Sequence, residues 1–244
     1  LRHRDDEAHN VGANDPTQDF IEIFEYSTDF ATPANSTFGL TQSLPISEFD
    51  SDLNGLFSFS AITQPGGAPP LDPLREVIMW RLSYRNFGTH EVLLGNFVTD
   101  VTGTDVAGIR WFELRRNPGD TMWSLFQEGT HMLPDGDSRW MAAIAMDDAG
   151  NIALAYSVSG PSTFPGLRYT GRLASDPLGQ MTQGENLIID GESSQTGSVR
   201  WGDYAALSVD PSDGSTFWFT SEYGTGGAWS CLLYTSPSPR DVCS

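Results

Sequence analysis

Two stretches decide how this chain is read: residues 139–157, RWMAAIAMDDAGNIALAYS, and residues 200–221, RWGDYAALSVDPSDGSTFWFTS. Each opens on Arg-Trp, runs through small and apolar residues to an aspartate, turns on a glycine and returns through a second strand-like run. Asp147 matches Asp210, Gly150 matches Gly214 and Ser157 matches Ser221, allowing small insertions in the second copy. A second pattern links GIRWFELR from Gly108 to GLRYTGRL from Gly166, with MWRLSYRN from Met79 as a looser relative. Together they point to a repeated structural unit of roughly 45–65 residues, loops included.

Working outward, amphipathic helical spacing is scarce. Short apolar or alternating runs end on Gly, Pro, Asn or Asp, the pattern of an all-β chain. Strands are expected at 20–26, 56–61, 76–84, 90–99, 108–115, 122–128, 140–146, 152–157, 166–173, 204–209 and 216–222. Turn-rich connections at 85–89, 147–151 and 210–215 join antiparallel neighbours, and the prolines of TQPGGAPPLDP (63–73) make that segment a loop. A small sheet cannot bury both its faces alone, and radial stacking of such sheets solves this. A β-sandwich also uses many short strands, but it does not predict repeated Arg-Trp openings with matched Asp–Gly turns. The expected fold is all-β, a β-propeller fragment of roughly four to five blades from a six- or seven-bladed ring. Closure would then need further chain, strand exchange or a partner. Residues 1–19 read as a polar, disordered lead-in, 20–230 as the propeller fragment and 231–244 as a tail; EYSTDFATPANSTFGL (25–40) reads as an exposed connection.

The 244 residues carry 32 acidic and 13 basic side chains, a net charge of -19, and every basic residue is arginine. Such a field repels phosphate backbones, which argues against nucleic acid and anionic membranes as partners. No run of about 18 apolar residues is present to span a bilayer.

Five stretches, LDPLREVIMWRLSYRNFGTHEVLLGNF, GIRWFELR, QEGTHMLPDGDSRWMAAIAMDDAGNIALAYSVSG, FPGLRYTGRLASDPLGQM and RWGDYAALSVDPSDGSTFWFTSEY, cover most of residues 71–229. In this order they resemble a group of uncharacterised bacterial secreted propeller-like proteins. The resemblance implies an extracellular or cell-surface location. It stops at Trp229–Ser230, where relatives usually continue Trp-x-Thr-Arg-Ile. The following CLLYTSPSPRDVCS resembles translated sequencing-adapter read-through from metagenomic assemblies. On that reading the tail is non-native, and Cys231 and Cys243 form neither a disulfide nor a metal pair. A looser resemblance to the sialidase-like superfamily rests on SVDPSDGSTFW from Ser208 and MDDAGN from Met146, which depart from the Asp-box pattern by an insertion and by a missing serine and aromatic.

Sialidase-type hydrolysis needs clustered arginines, a tyrosine activated by a glutamate and an acidic partner; glycoside hydrolysis in general needs two carboxylates facing the bond. The candidate ligand-binding residues are Arg110, Arg139, Arg168, Arg200, Asp203, Tyr204 and Glu222. The arginines recur from unit to unit, as scaffold residues do, whereas Asp203 and Tyr204 interrupt the apolar pattern of the earlier copy. No catalytic residue is assigned. His3, His9, His90 and His131 lack metal-ligand spacing. No cofactor is expected, apart from a structural calcium at 135–137 or 210–213, since hard cations take oxygen ligands. The leading expectation is a surface interaction scaffold with a glycan or surface-protein partner, a monomer or part of a larger multidomain chain. The alternative is a sialidase-like hydrolase or carbohydrate-binding propeller.

Overall fold

The computed structural model describes residues 1–9, 15–55, 58–75, 77–203, 205–226 and 228–236. They form an all-β architecture of four antiparallel sheets, each made from strands consecutive in the chain. The first sheet holds β1 (Arg2–Arg4), β2 (Gln18–Ser27) and β3 (Thr37–Ser47), with a short helix α1 (Asp6–His9) after β1. The second holds β4 (Ser83–Asn86), β5 (Glu91–Asp100), β6 (Ala107–Arg116) and β7 (Ser124–His131). The third holds β8 (Ser138–Met146), β9 (Ile152–Ser159), β10 (Gly166–Arg172) and β11 (Asn186–Ile189). The fourth holds β12 (Ala206–Val209), β13 (Phe217–Thr225) and β14 (Ala228–Ser236). No closure of these sheets into a ring is seen.

Each sheet packs on the next in chain order. Ile21, Ile23, Ile46 and Phe49 meet Phe97, Phe112 and Leu114 between the first and second sheets. Every residue of β8 and β9 is buried, because the third sheet is covered on both faces. The side chains divide by size. Ala142, Ile144, Met146, Ile152 and Leu154 pack on Val92, Leu94, Ile109 and Trp111 of the second sheet. Ala143, Ala145, Ala153 and Ala155, pointing the other way, make room for Phe217 and Phe219 of the fourth. Burying each large apolar side chain contributes about 1.5–3 kcal/mol, so these interfaces hold the sheets together.

The repeated sequences occupy matching positions. Trp140 and Trp201 join one core cluster, their ring centroids 6.3 Å apart. The residue after each Arg-Trp is left-handed, Met141 at φ 49° and Gly202 at φ 59°. The two Asp–Gly turns also touch, the Asp148 N–H donating to the Gly214 carbonyl at 2.9 Å.

Several expected elements differ. The lead-in is not uniformly exposed: β1 pairs with β2, and Arg2 and Arg4 both bind Glu22, so charges that read as solvent-facing are neutralised in place. The segment read as an exposed connection runs into β3, whose Pro45 lies on a strand paired on one side only, where a missing N–H is tolerated. Residues 76–84 contribute a strand only from Ser83, and 58–61 contribute none. Leu56, Phe57 and Glu76 lie outside the described residues. Within the tail, residues 231–236 pair with β13 as part of β14, and Cys231 is a free, exposed thiol. Cys243 lies outside the described residues.

The sheet contacts set a steric test. A Cβ at Gly129 would collide with the backbone carbonyl of Gly179, whereas Gly39 has nothing within 4 Å of the same position. Gly129→Ala is therefore expected to destabilise by about 1–3 kcal/mol, and Gly39→Ala to stay within about 0.5 kcal/mol of wild type, both read by denaturant titration.

Candidate functional site

The four candidate arginines do not converge; each is held by its own acid. Arg110 on β6 pairs with Glu128 and also donates to Thr130 Oγ1 (3.1 Å) and the Ser47 carbonyl (3.2 Å). Arg139 on β8 is 1% exposed and binds the Asp135 carboxylate through NH2 at 2.7 Å and NH1 at 3.0 Å. Its Nε also reaches Glu185 at 2.7 Å. Arg168 on β10 pairs with Asp190, and Arg200, largely exposed, pairs with Asp203. A substrate carboxylate would have to displace one of these partners.

Arg139 also anchors a tyrosine–glutamate pair. Tyr156 donates to Glu185 Oε2 at 2.8 Å, and His131 Nε2 lies 2.7 Å from the same hydroxyl. This pair resembles the nucleophile arrangement only in composition. Tyr156 is fully buried in β9, and burial together with the Glu185 charge raises its pKa well above 10, the opposite of activation. Burial pushes the Glu185 carboxyl up, but the Arg139 guanidinium more than reverses that and holds it below the ordinary value. Burial likewise lowers His131 from 6.5 to about 4, so the imidazole is neutral at pH 7. The cluster braces the second sheet to the third.

Asp203 and Glu222 do come together. With Gly202, Ala205, Thr220, Ser221, Trp229 and Cys231 they line an open cavity of about 220 Å³. Glu222 Oε1 accepts the Gly202 N–H, and burial raises its pKa despite that bond. Asp203 Oδ1 is shielded from solvent and has no hydrogen-bond partner. Tyr204 lies outside the described residues. Trp229 was absent from the sequence candidates; the only signal for it was an aromatic beside the end of the repeat.

The expected calcium loops are otherwise engaged. Asp135 serves Arg139, whose hydrogen bonds lower its pKa. Asp210 accepts the Ser212 N–H and Trp218 Nε1–H. Asp213 is lowered to about 2 by hydrogen bonds from Thr216 and Ser215. The oxygen cluster suited to a cation lies elsewhere: single carboxylate oxygens of Asp5, Glu7 and Asp19 fall within 4.8 Å of one another. Asp5 and Asp19 are buried. Glu7 Oε1 and Oε2 and the neighbouring Asp6 Oδ1 are shielded acceptors without a donor. Asp5 and Glu7 also line a cavity of about 400 Å³ with Glu48, Asp50 and Asp52. Burial, followed by the surrounding carboxylates, raises Glu48 to about 7; burial raises Asp19 to about 6 against its backbone hydrogen bonds. Sequence reasoning missed this corner because all three of its ligands lie in the segment 1–19 that reads as a disordered lead-in, although Asp5-Asp6-Glu7 is itself an acidic run.

No family model matches the chain, and no curated protein or solved structure matches it either. The functional reading therefore rests on the residues, their geometry and the sequence resemblance described above.

The buried imidazole gives a pH test. The unfolded chain binds a proton at His131 near pH 6.5 and the folded chain only near 4. Its contribution is thus present above 6.5 and lost as pH falls toward 4, up to about 3 kcal/mol. Denaturant titrations of wild type and His131→Gln at pH 7, 5.5 and 4 are expected to show the wild type losing more stability on acidification than the variant.

Proposed function

We propose that the chain is an exported β-propeller-type module, four blades of a larger ring, that acts as a non-catalytic interaction scaffold. The observation that carries this reading is the individual pairing of Arg110, Arg139, Arg168 and Arg200, each with its own acid. Paired, dispersed guanidinium groups stiffen a stack of sheets; they do not form a carboxylate-binding centre. The chain-order packing of four sheets and the meeting of the two Arg-Trp units support the propeller form. Extracellular or surface placement rests on the family resemblance. The partner in this reading is a glycan or a surface protein, and the net charge of -19 weighs against nucleic acid. No helix among the described residues is long and apolar enough to cross a membrane.

A structural calcium belongs to the same reading. Asp5, Glu7 and Asp19 offer hard oxygen ligands, and the unpaired acceptors at Asp6 and Glu7 call for a proton or a cation between them. Calcium there would tie the β1–α1 segment to β2.

A carbohydrate-binding reading is favoured by one observation, the joint presence of Asp203, Glu222 and Trp229 around one cavity. Two assays separate scaffold from hydrolase. On a fluorogenic sialoside the purified chain is expected to give no turnover above buffer, while glycan and extracellular-protein arrays register binding. Sialoside turnover abolished by Glu222→Gln would replace the scaffold reading with the hydrolase. For the cation, millimolar Ca²⁺ is expected to raise the melting temperature of wild type, by about 2.7 kcal/mol in stability at a hundredfold excess over Kd. Glu7→Gln should lose most of that response, and equal responses in both proteins would remove the site.

A further inference from the structure

The outer face of the fourth sheet is built differently from the faces that bury the sheets together. Its register pairs Trp218 with Thr235, Thr220 with Leu233, Glu222 with Cys231 and Gly224 with Trp229. Strand alternation sends Phe217, Phe219 and Leu232 toward the third sheet, where they pack with Leu167 and the alanines of β8 and β9. Trp229 and Glu222 lie on the opposite face. Trp229 is 56% exposed, and the residue across from it is a glycine, so no side chain stands in that cross-strand position. Beside this ring the chain turns at Gly202, bringing Asp203 to the rim of the cavity that Glu222 and Trp229 line.

We propose that this cavity is a subsite for one neutral hexose unit of a glycan, with Trp229 as the stacking platform and Asp203 and Glu222 as acceptors for sugar hydroxyls. The proposal rests on the reading of the chain as an interaction module and names the chemistry of its partner. A sugar ring offers an apolar C–H face and an edge of hydroxyl donors. The site offers the complements: an exposed indole, which presents an apolar body to a ligand, and carboxylate oxygens with capacity to spare. Among the described residues Glu222 commits only Oε1, to the Gly202 N–H, and the Asp203 oxygen that holds Arg200 keeps a second lone pair, Oδ1 being shielded from solvent. A volume near 220 Å³ is below the range of about 300–1,000 Å³ typical of drug-sized pockets; it suits a single ring whose neighbours extend into solvent.

Charge selects against the acidic sugar. Arg200, next in sequence to the cavity-lining turn, is already paired with Asp203, so a sialic acid carboxylate would meet Glu222 and a strongly negative protein field. A neutral hexose meets no such penalty.

The test is saturation-transfer NMR on the full chain with methyl β-glucopyranoside, methyl β-galactopyranoside, methyl α-mannopyranoside and N-acetylneuraminic acid as probes. At least one neutral glycoside is expected to bind saturably and N-acetylneuraminic acid not to bind. Trp229→Ala and Asp203→Ala should each weaken that binding at least tenfold at an unchanged melting temperature. Trp229→Phe, which keeps a ring, should retain most of it, and Trp80→Ala, an exposed tryptophan outside the cavity, all of it. Should Trp229→Ala fail to fold, Trp229→Phe and Asp203→Ala carry the comparison. Failure of every neutral glycoside to saturate, binding that survives both Trp229→Ala and Asp203→Ala, or equal binding of N-acetylneuraminic acid overturns the subsite. Array binding that persists in Trp229→Ala would overturn the hexose subsite while leaving the scaffold reading standing. Silence on both arrays and glycosides would sink both.

Discussion

Burial of the third sheet on both faces is the constraint to which the rest of the structure answers. A strand in that position cannot alternate apolar and polar residues, so β8 and β9 become continuous apolar runs. Because both neighbours press on it, side-chain volume is divided between its faces. Alanines line one face and Ile144, Met146, Ile152 and Leu154 the other. The few polar groups that remain at this depth must be satisfied internally, which is why Arg139, Tyr156, His131 and Glu185 form one hydrogen-bonded set. Removing a single member would leave a buried charge or donor unpaired, a larger penalty than the bond itself is worth.

The strands were most legible where this constraint was strongest. The runs at 140–146 and 152–157 read correctly as strands, because apolar continuity bounded by Asp147 and Asn151 has few other solutions. Legibility failed at the margins. The Arg2–Arg4 strand shows three polar residues, and two of them are held by the distant Glu22. β3 carries Gly39, Pro45 and exposed Phe38 and Leu40, a composition that marks a connection unless the pairing with β2 is known. At residues 76–84 an apolar pattern promised a strand, yet only Ser83 and Tyr84 of it pair with β5.

The candidate site was legible only in part, and for a reason of the same kind. Asp203 was visible because it broke a repeat, and Glu222 because it was an acid on a returning strand; their meeting depends on the turn at Gly202. The arginines were visible through recurrence, but recurrence reported a scaffold requirement. An acidic chain without lysine uses guanidinium groups, with several donors in a fixed fork, to gather carboxylates and carbonyls that would otherwise repel or stay unpaired. Arg110 and Arg139 each bond three groups. The Asp5, Glu7 and Asp19 corner escaped notice because no local spacing pattern joins a lead-in segment to a strand that begins at Gln18.

The left-handed residue after each Arg-Trp has a consequence for how the two units age under mutation. At the second unit glycine occupies the position at no steric cost, but at the first a methionine does, in a conformation that costs an ordinary side chain roughly 1–2 kcal/mol. The first unit accepts that strain because Trp140, Trp201 and the surrounding core fix the backbone around it. The two copies are therefore unequal reservoirs. One is relaxed and open to change at the half-buried edge of its turn, where Asp203 stands in place of an apolar residue. The other is a loaded spring held shut by its neighbours, and its sequence is correspondingly less free to drift.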